Sequence, residues 1–319
     1  MTTLRAGTRG SPLALWQTER VREALHANGA HTELVRIMTA GDIDRVTPLG
    51  RFGMPAIFSR ELDEALLDGR IDFAVHSLKD LPTILPDGIA LAAVSDREDV
   101  RDALVSRGGL RWSEIPDGAT IATSSLRRQA QLLRARPDLQ VVDLRGNVGT
   151  RVDILDRTPG FAAILLATAG LVRLGLDARI TERLSLELML PAPGQAALAV
   201  TVRAADAGVT AAVRAAVHHS ATARAVTAER ALLRTLEGGC HVPVAAYAEF
   251  IDPAASLLHL RARVISLDGR QMVEGAHRGE VTTPEQADAL GTELAERLIP
   301  DGASHILAAA RRHAETRLE

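Results

Sequence analysis

LRAGTRGSPLALWQTERVREALHANGAHTELVRIMTA, residues 4–40, sets the architecture of this chain. LRAG (4–7) reads as a strand. SPLALWQTERVREALHAN (11–28) reads as a helix, with Ser11 as its N-cap and Pro12 in the first turn, where a missing N–H costs nothing. TELVRIMTA (32–40) is a second strand. The order then repeats: FSRELDEALLDG (58–69) predicts a helix stopped by Gly69, and IDFAVHS (71–77) predicts a strand. This β–α–β–α order implies a mostly parallel sheet with helices on its faces.

The plan restarts further on. TIATS (120–124) is a strand, SLRRQAQLLRARP (125–137) a helix ended before Pro137, and VVDLRG (141–146) a strand. A helix from about 150 to 155 follows, then the buried strand FAAILLAT (161–168). The pair LRAGTRGSPLALW and TIATSSLRRQAQL share strand, small hydroxyl-rich turn and helix, as IDFAVHS and FAAILLATA share an apolar strand. We read a weak duplication that gives two similar α/β lobes, with a ligand cleft between them.

The last third differs. HSATARAVTAERALLRTLEGG (219–239) is an Ala-rich helix ended by paired glycines. Near-alternating strands follow at 244–250, 257–267 and 270–279, with Asp268-Gly269 as a hairpin signal between the last two. Helices at about 284–298 and 302–316 complete a small C-terminal α+β domain.

With 319 residues, more than one core is expected. The charged fraction of 24% and the net charge of −3 fit a soluble globular protein and give no reason to expect nucleic acid. The longest apolar run, FAAILLATAGLV (161–172), is too short to span a bilayer, and MTTLRAGTRGS lacks an apolar export core, so a cytoplasmic protein is expected. Cys240 is the one cysteine, which rules out an intrachain disulfide. Lys79 is the one lysine beside 36 arginines. In a chain that uses Arg wherever it can, that lysine points to a site needing a compact ammonium, where a planar guanidinium does not fit.

Three strand-to-helix turns concentrate Arg and hydroxyl groups: Thr8, Arg9 and Ser11; Thr123, Ser124, Ser125, Arg127 and Arg128; Arg145, Asn147, Thr150 and Arg151. Free N–H groups at a helix N-terminus, with Arg beside them, make an anion pocket. Singly, each turn reads equally well as an ordinary N-cap with solvated Arg. Three in one chain favour a ligand with several carboxylates. At the end of a buried strand, HSLKD (76–80) brings Lys79 and Asp80 out together. Asp80 can stabilise a cation or move a proton, and Lys79 can hold a carboxylate or form a Schiff base, against a plain turn ion pair. His76 reads as a packed strand-end residue and His218-His219 as a cap or flank of a helix. Cys240 in GGCHVP (238–243) is either an exposed, reactive thiol or a small buried apolar group. With no second cysteine, no HExxH and no paired ligand spacing, no metal site is expected.

Taken in order, RAGTRGSPLALWQ (5–17), HSLKD (76–80), REDVRDA (97–103), TSSLRRQ (123–129), RGNVGTR (145–151), AGLVRLGL (169–176), PAPGQ (191–195) and TAERALLRTLEGGC (227–240) resemble the porphobilinogen deaminase family along nearly the whole chain. The resemblance implies two lobes of type II periplasmic-binding-protein plan and a small α+β domain. The division it implies is 1–96 with 192–216, 97–191, and 217–319. It implies a transferase that joins four porphobilinogen units head to tail with loss of ammonia, giving hydroxymethylbilane on a dipyrromethane primer. Cys240 would carry that primer through a thioether. Lys79 and Asp80 would be catalytic and would also contact the cofactor, with Thr123, Ser124, Ser125, Arg127, Arg128, Arg145 and Gly146. Arg9, Ser11, Phe58, Arg145, Arg151, Arg173 and Gln195 would hold the substrate. The family is mostly monomeric, with no membrane or nucleic-acid partner. Two departures stand out: GMPAIF (53–58) puts Pro55 where the family's GGKGLF-type segment has lysine, and GQAA (194–197) puts Ala196 where the family has glycine.

Overall fold

Short apolar strands joined through amphipathic helices can bury both faces only by stacking helices on both sides of a sheet, and the chain does this twice. The structure, a computed structural model, describes residues 3–39, 59–236, 242–252 and 254–316. In the first lobe, β1 (Leu4–Thr8), β2 (Thr32–Arg36), β3 (Phe73–Ser77), β4 (Ile89–Arg97) and β10 (Ala197–Arg203) form one sheet in the order β2-β1-β3-β10-β4. β1 runs parallel to β2 and β3, and β10 is antiparallel to both of its neighbours. In the second lobe, β5 (Asp102–Ser106), β6 (Thr120–Ala122), β7 (Gln140–Val142), β8 (Ala163–Ala167) and β9 (Glu182–Arg183) follow the order β7-β6-β8-β5-β9. There β5 is the antiparallel strand.

The two sheets thus share one plan: four strands in one direction and a reversed strand in the fourth place. The duplication read from the sequence is real at the level of topology. Each reversed strand is also where the chain changes lobe. It leaves β4 at Arg97 and enters β5 at Asp102, then leaves β9 at Arg183 and re-enters the first sheet through β10. These two crossings bring residues 98–101 and 184–196 to the junction of the lobes. Two α/β lobes of one strand plan and a small C-terminal domain therefore make up the fold.

The sheets are covered on both faces. In the first lobe α1 (Pro12–Ala27) and α6 (Ala207–Val217) pack Val21, Leu25 and Val213 over Ala6, Phe73, Val75 and Val200. On the other face α2 (Arg60–Leu67) buries Leu62 and Leu66 against Ile71, Ala74 and Ile89. In the second lobe α4 (Val148–Arg157) packs Val152 and Leu155 on one face. Leu132 of α3 (Leu126–Ala135) joins the cluster on the other face. The last domain sets α7 (Ser220–Thr235), α8 (Pro284–Leu298) and α9 (Ser304–Thr316) around the meander β11 (Val244–Phe250), β12 (Leu257–Ile265) and β13 (Met272–Glu280).

Several elements differ from expectation. β2 ends at Arg36 rather than 40, and the helix expected from about Thr150 begins at Val148 with Asn147 as its cap. No strand was expected at β4, β5 or β10. Their sequences IALAAVSDR, DALVS and ALAVTVR are apolar runs buried on both faces, so they lack the alternation that marks a half-buried strand. The His readings hold: buried His76 pairs with Thr201 Oγ1 at 3.1 Å, and His219 caps α7, its Nδ1 accepting from the Thr222 N–H. Gly269, in the expected hairpin, adopts φ +75°.

Candidate active site

Strand ends deliver the site. β3 runs out through Ser77 into a short turn that carries Lys79 and Asp80, placing Lys79 half-buried and Asp80 in solvent contact. Beside it, the β1–α1 turn presents Arg9 and Ser11. A depression is lined there by Arg9, Ser11, Gln17, Ser77 and Asp80, with Ser59 and His76. Gln17 was not expected in the site; its Nε2 donates to Ser77 Oγ at 2.8 Å and orients the hydroxyl at the mouth of β3.

The second lobe contributes the arginines. Ser125 caps α3, accepting from the Arg128 N–H, and the Ser125 N–H in turn donates to Thr123 Oγ1 at 3.3 Å. The first helical turn then aims Arg127 and Arg128 inward, each only 5% exposed. Both meet one carboxylate, Asp102 at the start of β5: Arg127 Nη2 lies 2.7 Å from Oδ2 and Arg128 Nη2 2.7 Å from Oδ1. Arg127 also donates to Leu190 O at 2.7 Å and Arg128 to Leu165 O at 2.9 Å. In the β7–α4 turn, Arg151 Nε donates to Gly146 O at 2.7 Å, which Gly146 offers at φ +116°. Ser11, Ser125 and Asn147 all cap their own helices, so for these side chains the N-cap reading of the turns is the one the structure realises. The anion-binding capacity lies with the arginines beside them.

Charge in this cleft is unbalanced. Burial holds the Lys79 ammonium down at about 8, with Arg128 and Arg127 lowering it further and Asp80 and Asp102 opposing. Arg151 is likewise held down at about 10, first by burial and then by Arg128 and Arg145, against Asp80 and Asp143. Asp102 is held far below the usual carboxylate range: its full burial opposes ionisation, but Arg127, Arg128 and Lys79 overcome it. Groups of both lobes therefore feel each other across one space, with cations in excess. Arg145 Nη1 and Arg128 Nε are buried and have no hydrogen-bond partner among the described residues. A buried guanidinium N–H left unpaired is costly, and a carboxylate-bearing ligand supplies the missing acceptor.

Gln195 sits where the chain re-crosses. It is fully buried between Gly194 (φ +74°) and Ala196 (φ +76°). Ala196 in the left-handed region explains why a glycine suits that position, since the Cβ is a steric cost there. Arg173, the last residue of α5 (Thr168–Arg173), donates to Ala196 O at 2.6 Å and lies over the Trp16 ring at 5.6 Å. Ser124 is half-buried in its turn. Phe58, the segment 53–58 and Cys240 lie outside the described residues. Among the described residues no three His, Cys, Asp or Glu side chains are placed to hold a metal ion.

Comparison with known sequences decides the family. The profile for porphobilinogen deaminase, dipyromethane cofactor binding domain, matches residues 4–211, and that for the porphobilinogen deaminase C-terminal domain matches residues 223–300. The chain belongs to the porphobilinogen deaminase family. Its activity is that of a hydroxymethylbilane synthase, a transferase of tetrapyrrole biosynthesis, and its cofactor is dipyrromethane. Similar solved structures include a substrate-binding protein of an ABC transporter from Coxiella burnetii, at 18% identity over 69% of this chain and 94% of that one, TM-score 0.43. Another is a methionine-binding lipoprotein from Bacillus subtilis, described as putative, at 12% identity over 69% and 92%, TM-score 0.42. The cofactor's acid groups fit this cleft, because the unpaired guanidinium N–H groups and the cation excess are what a ligand bearing several carboxylates neutralises. No helix among the described residues is long and apolar enough to cross a membrane.

Proposed function

We propose that this enzyme joins four porphobilinogen units head to tail, with loss of ammonia at each addition, and releases hydroxymethylbilane. In this reading Cys240 carries the dipyrromethane primer as a thioether, the enzyme acts as a monomer in the cytoplasm, and the domains divide as 1–96 with 192–216, 97–191, and 217–319. The observation that carries it is the excess of partly or fully buried cations contributed by both lobes to one cleft.

Each porphobilinogen adds two carboxylates, so the growing chain is a polyanion that a protein of net charge −3 must neutralise locally. Arg145 and Arg151 from the second lobe and Lys79 from the first take the acetate and propionate groups, helped by Arg9 and Ser11 beside Lys79's turn and by Arg128 through its unpaired Nε. Arg127 is paired with Asp102 and bound to Leu190 O, and its part is to hold the wall of the cleft in place. When bound, dipyrromethane supplies the nucleophilic pyrrole carbon at which growth starts. Asp80, exposed at the mouth of the pocket, would stabilise positive charge that develops on the pyrrole nitrogen as ammonia leaves, and would accept the proton that the attacking pyrrole carbon gives up and pass it to solvent. The partly buried, arginine-lined walls strengthen each of these interactions relative to bulk water.

Intact mass under denaturing conditions tests the proposal. Wild-type enzyme, expressed with substrate available, is heavier than its sequence by a dipyrromethane and stays reactive to Ehrlich's reagent after unfolding. Cys240→Ser has the sequence mass. An unmodified wild-type chain refutes the thioether assignment.

A further inference from the structure

Asp102, Gln195 and Lys79 are joined in a line that runs from the arginine wall to the cleft. Asp102 is fully buried and held on one side by hydrogen bonds and on the other by charge: Oδ1 accepts from Arg128 and from Gln195 Nε2 (3.0 Å), Oδ2 lies 2.7 Å from Arg127 Nη2, and each guanidinium is itself tied to a backbone carbonyl. Gln195 is equally fixed. Its N–H donates to Ala192 O at 2.9 Å, its carbonyl accepts from Arg97 Nε at 2.9 Å, and its neighbours on both sides hold positive φ. Its side-chain Nε2 has a second acceptor, Val100 O at 2.8 Å. Both partners of Nε2 are acceptors without a proton to give, so the amide has one permitted orientation. The flipped amide would set Oε1 against a carboxylate and a carbonyl, and its NH₂ against an ammonium. Oε1 must therefore face Lys79, where it accepts from Nζ at 3.0 Å.

We infer that Asp102 is a positioning residue that acts through the Gln195 amide to fix the Lys79 ammonium at the junction of the lobes. Gln195 occupies one of the three N–H donors of Lys79 and leaves two for ligand carboxylates. The relay links β5 of one lobe, the re-crossing turn, and the end of β3 in the other lobe, so the ammonium is placed by both lobes at once. It also maintains charge. Lys79 is faced by Asp80 from its own turn, by Asp102 from β5, and by Arg127 and Arg128 from α3. Neutralising Asp102 removes a carboxylate that favours protonated Lys79 and leaves two guanidiniums uncompensated, so Lys79 loses its proton more readily. The carboxylate-binding role of Lys79 rests on the function proposed above; the relay itself does not.

Because Lys79 is the only lysine, an amine-acylating reagent reports on it without ambiguity, with the N-terminal amine as an internal control. The measurement is the pH midpoint of Lys79 labelling in the full-length enzyme as purified, read by peptide mass spectrometry, for wild type, Asp102→Asn and Gln195→Met. Both variants are expected to lower the midpoint by roughly half a pH unit or more, since each removes a group that favours the charged amine, and to move the alkaline limb of kcat/KM with it. A role confined to stability would lower the urea midpoint and leave labelling unmoved. Unchanged labelling in both variants overturns the inference, and if Asp102→Asn does not fold, Gln195→Met decides alone. Labelling needs no turnover, so a chain that lacked the pyrrole primer would refute the proposed chemistry and leave this result standing.

Discussion

Lys79 is half-buried among guanidiniums, and its charge is therefore sensitive to pH in a range where surface lysines are inert. Its folded-state value near 8 lies below the ordinary 10.5, so the folded enzyme loses this proton first as pH rises. A ligand carboxylate needs the protonated form. kcat/KM, which reports the free enzyme, should then fall on the alkaline side with an apparent value near 8. Lys79→Arg stays charged there and should lose that limb while raising KM, because a planar guanidinium cannot take the place of the ammonium beside Gln195. A pH series of initial rates on the two proteins is sufficient. His76 behaves differently: burial first, then Arg9, pushes it down to about 4, so it stays neutral against Thr201 through the working range.

At the scale of elements, α3 is held from both ends. Ser125 caps its start beside the arginine wall, and the β12–β13 hairpin docks on its last turn. Gly269 makes that contact possible. Its φ of +75° suits glycine, and a Cβ there would lie 2.4 Å from Arg134 N and 2.5 Å from Leu133 C, both backbone atoms that cannot swing aside. Gln129 Nε2 to Leu267 O at 3.4 Å and Arg134 Nη1 to Arg270 O at 3.2 Å complete the junction. Gly269→Ala should cost about 1–3 kcal/mol, through overpacking and φ strain together. The drop appears as a lower urea midpoint at unchanged slope, and no drop would mean that the hairpin can lift from α3 at little cost.

For the whole molecule, Glu229 on α7 is the point where the first lobe, the re-crossing turn and the last domain are tied. Fully buried, it accepts from Arg97 Nη1 at 2.6 Å and Nη2 at 3.0 Å, from Gly194 N at 2.7 Å and from Ala248 N at 2.8 Å. Arg97 ends β4, Gly194 lies in the re-crossing turn and Ala248 is in β11, so both crossings and the last domain meet at one carboxylate. Removing one partner of a buried pair strands the other charge, which costs more than the pair contributes. Glu229→Ala should therefore lose about 3–5 kcal/mol in equilibrium urea unfolding. Arg97→Met with Glu229→Met should recover much of it. If the double variant is no more stable than the single one, Arg97 is not the stranded partner.

By itself the sequence determined the lobed α/β plan, the third domain, the hairpin at Asp268-Gly269 and the set of turns from which the site is drawn. Those signals are local: an apolar period, a cap, a glycine that must take positive φ. Lys79 and Asp80 were legible because they leave a buried strand together and because one lysine among 36 arginines is conspicuous. Local signals could not show that β5 and β10 run against their sheets, since a strand buried on both faces has no alternation to read. Nor could they tell which arginines are spent. Arg127 and Arg128 are adjacent in sequence, equally buried and paired with the same Asp102, yet only Arg128 keeps a buried Nε without a hydrogen-bond partner among the described residues. Asp102 and Gln195, 93 residues apart, acquire their meaning only where two crossings of the chain meet. Tertiary structure decided that, because desolvation and pairing depend on what packs around a group and not on its neighbours along the chain.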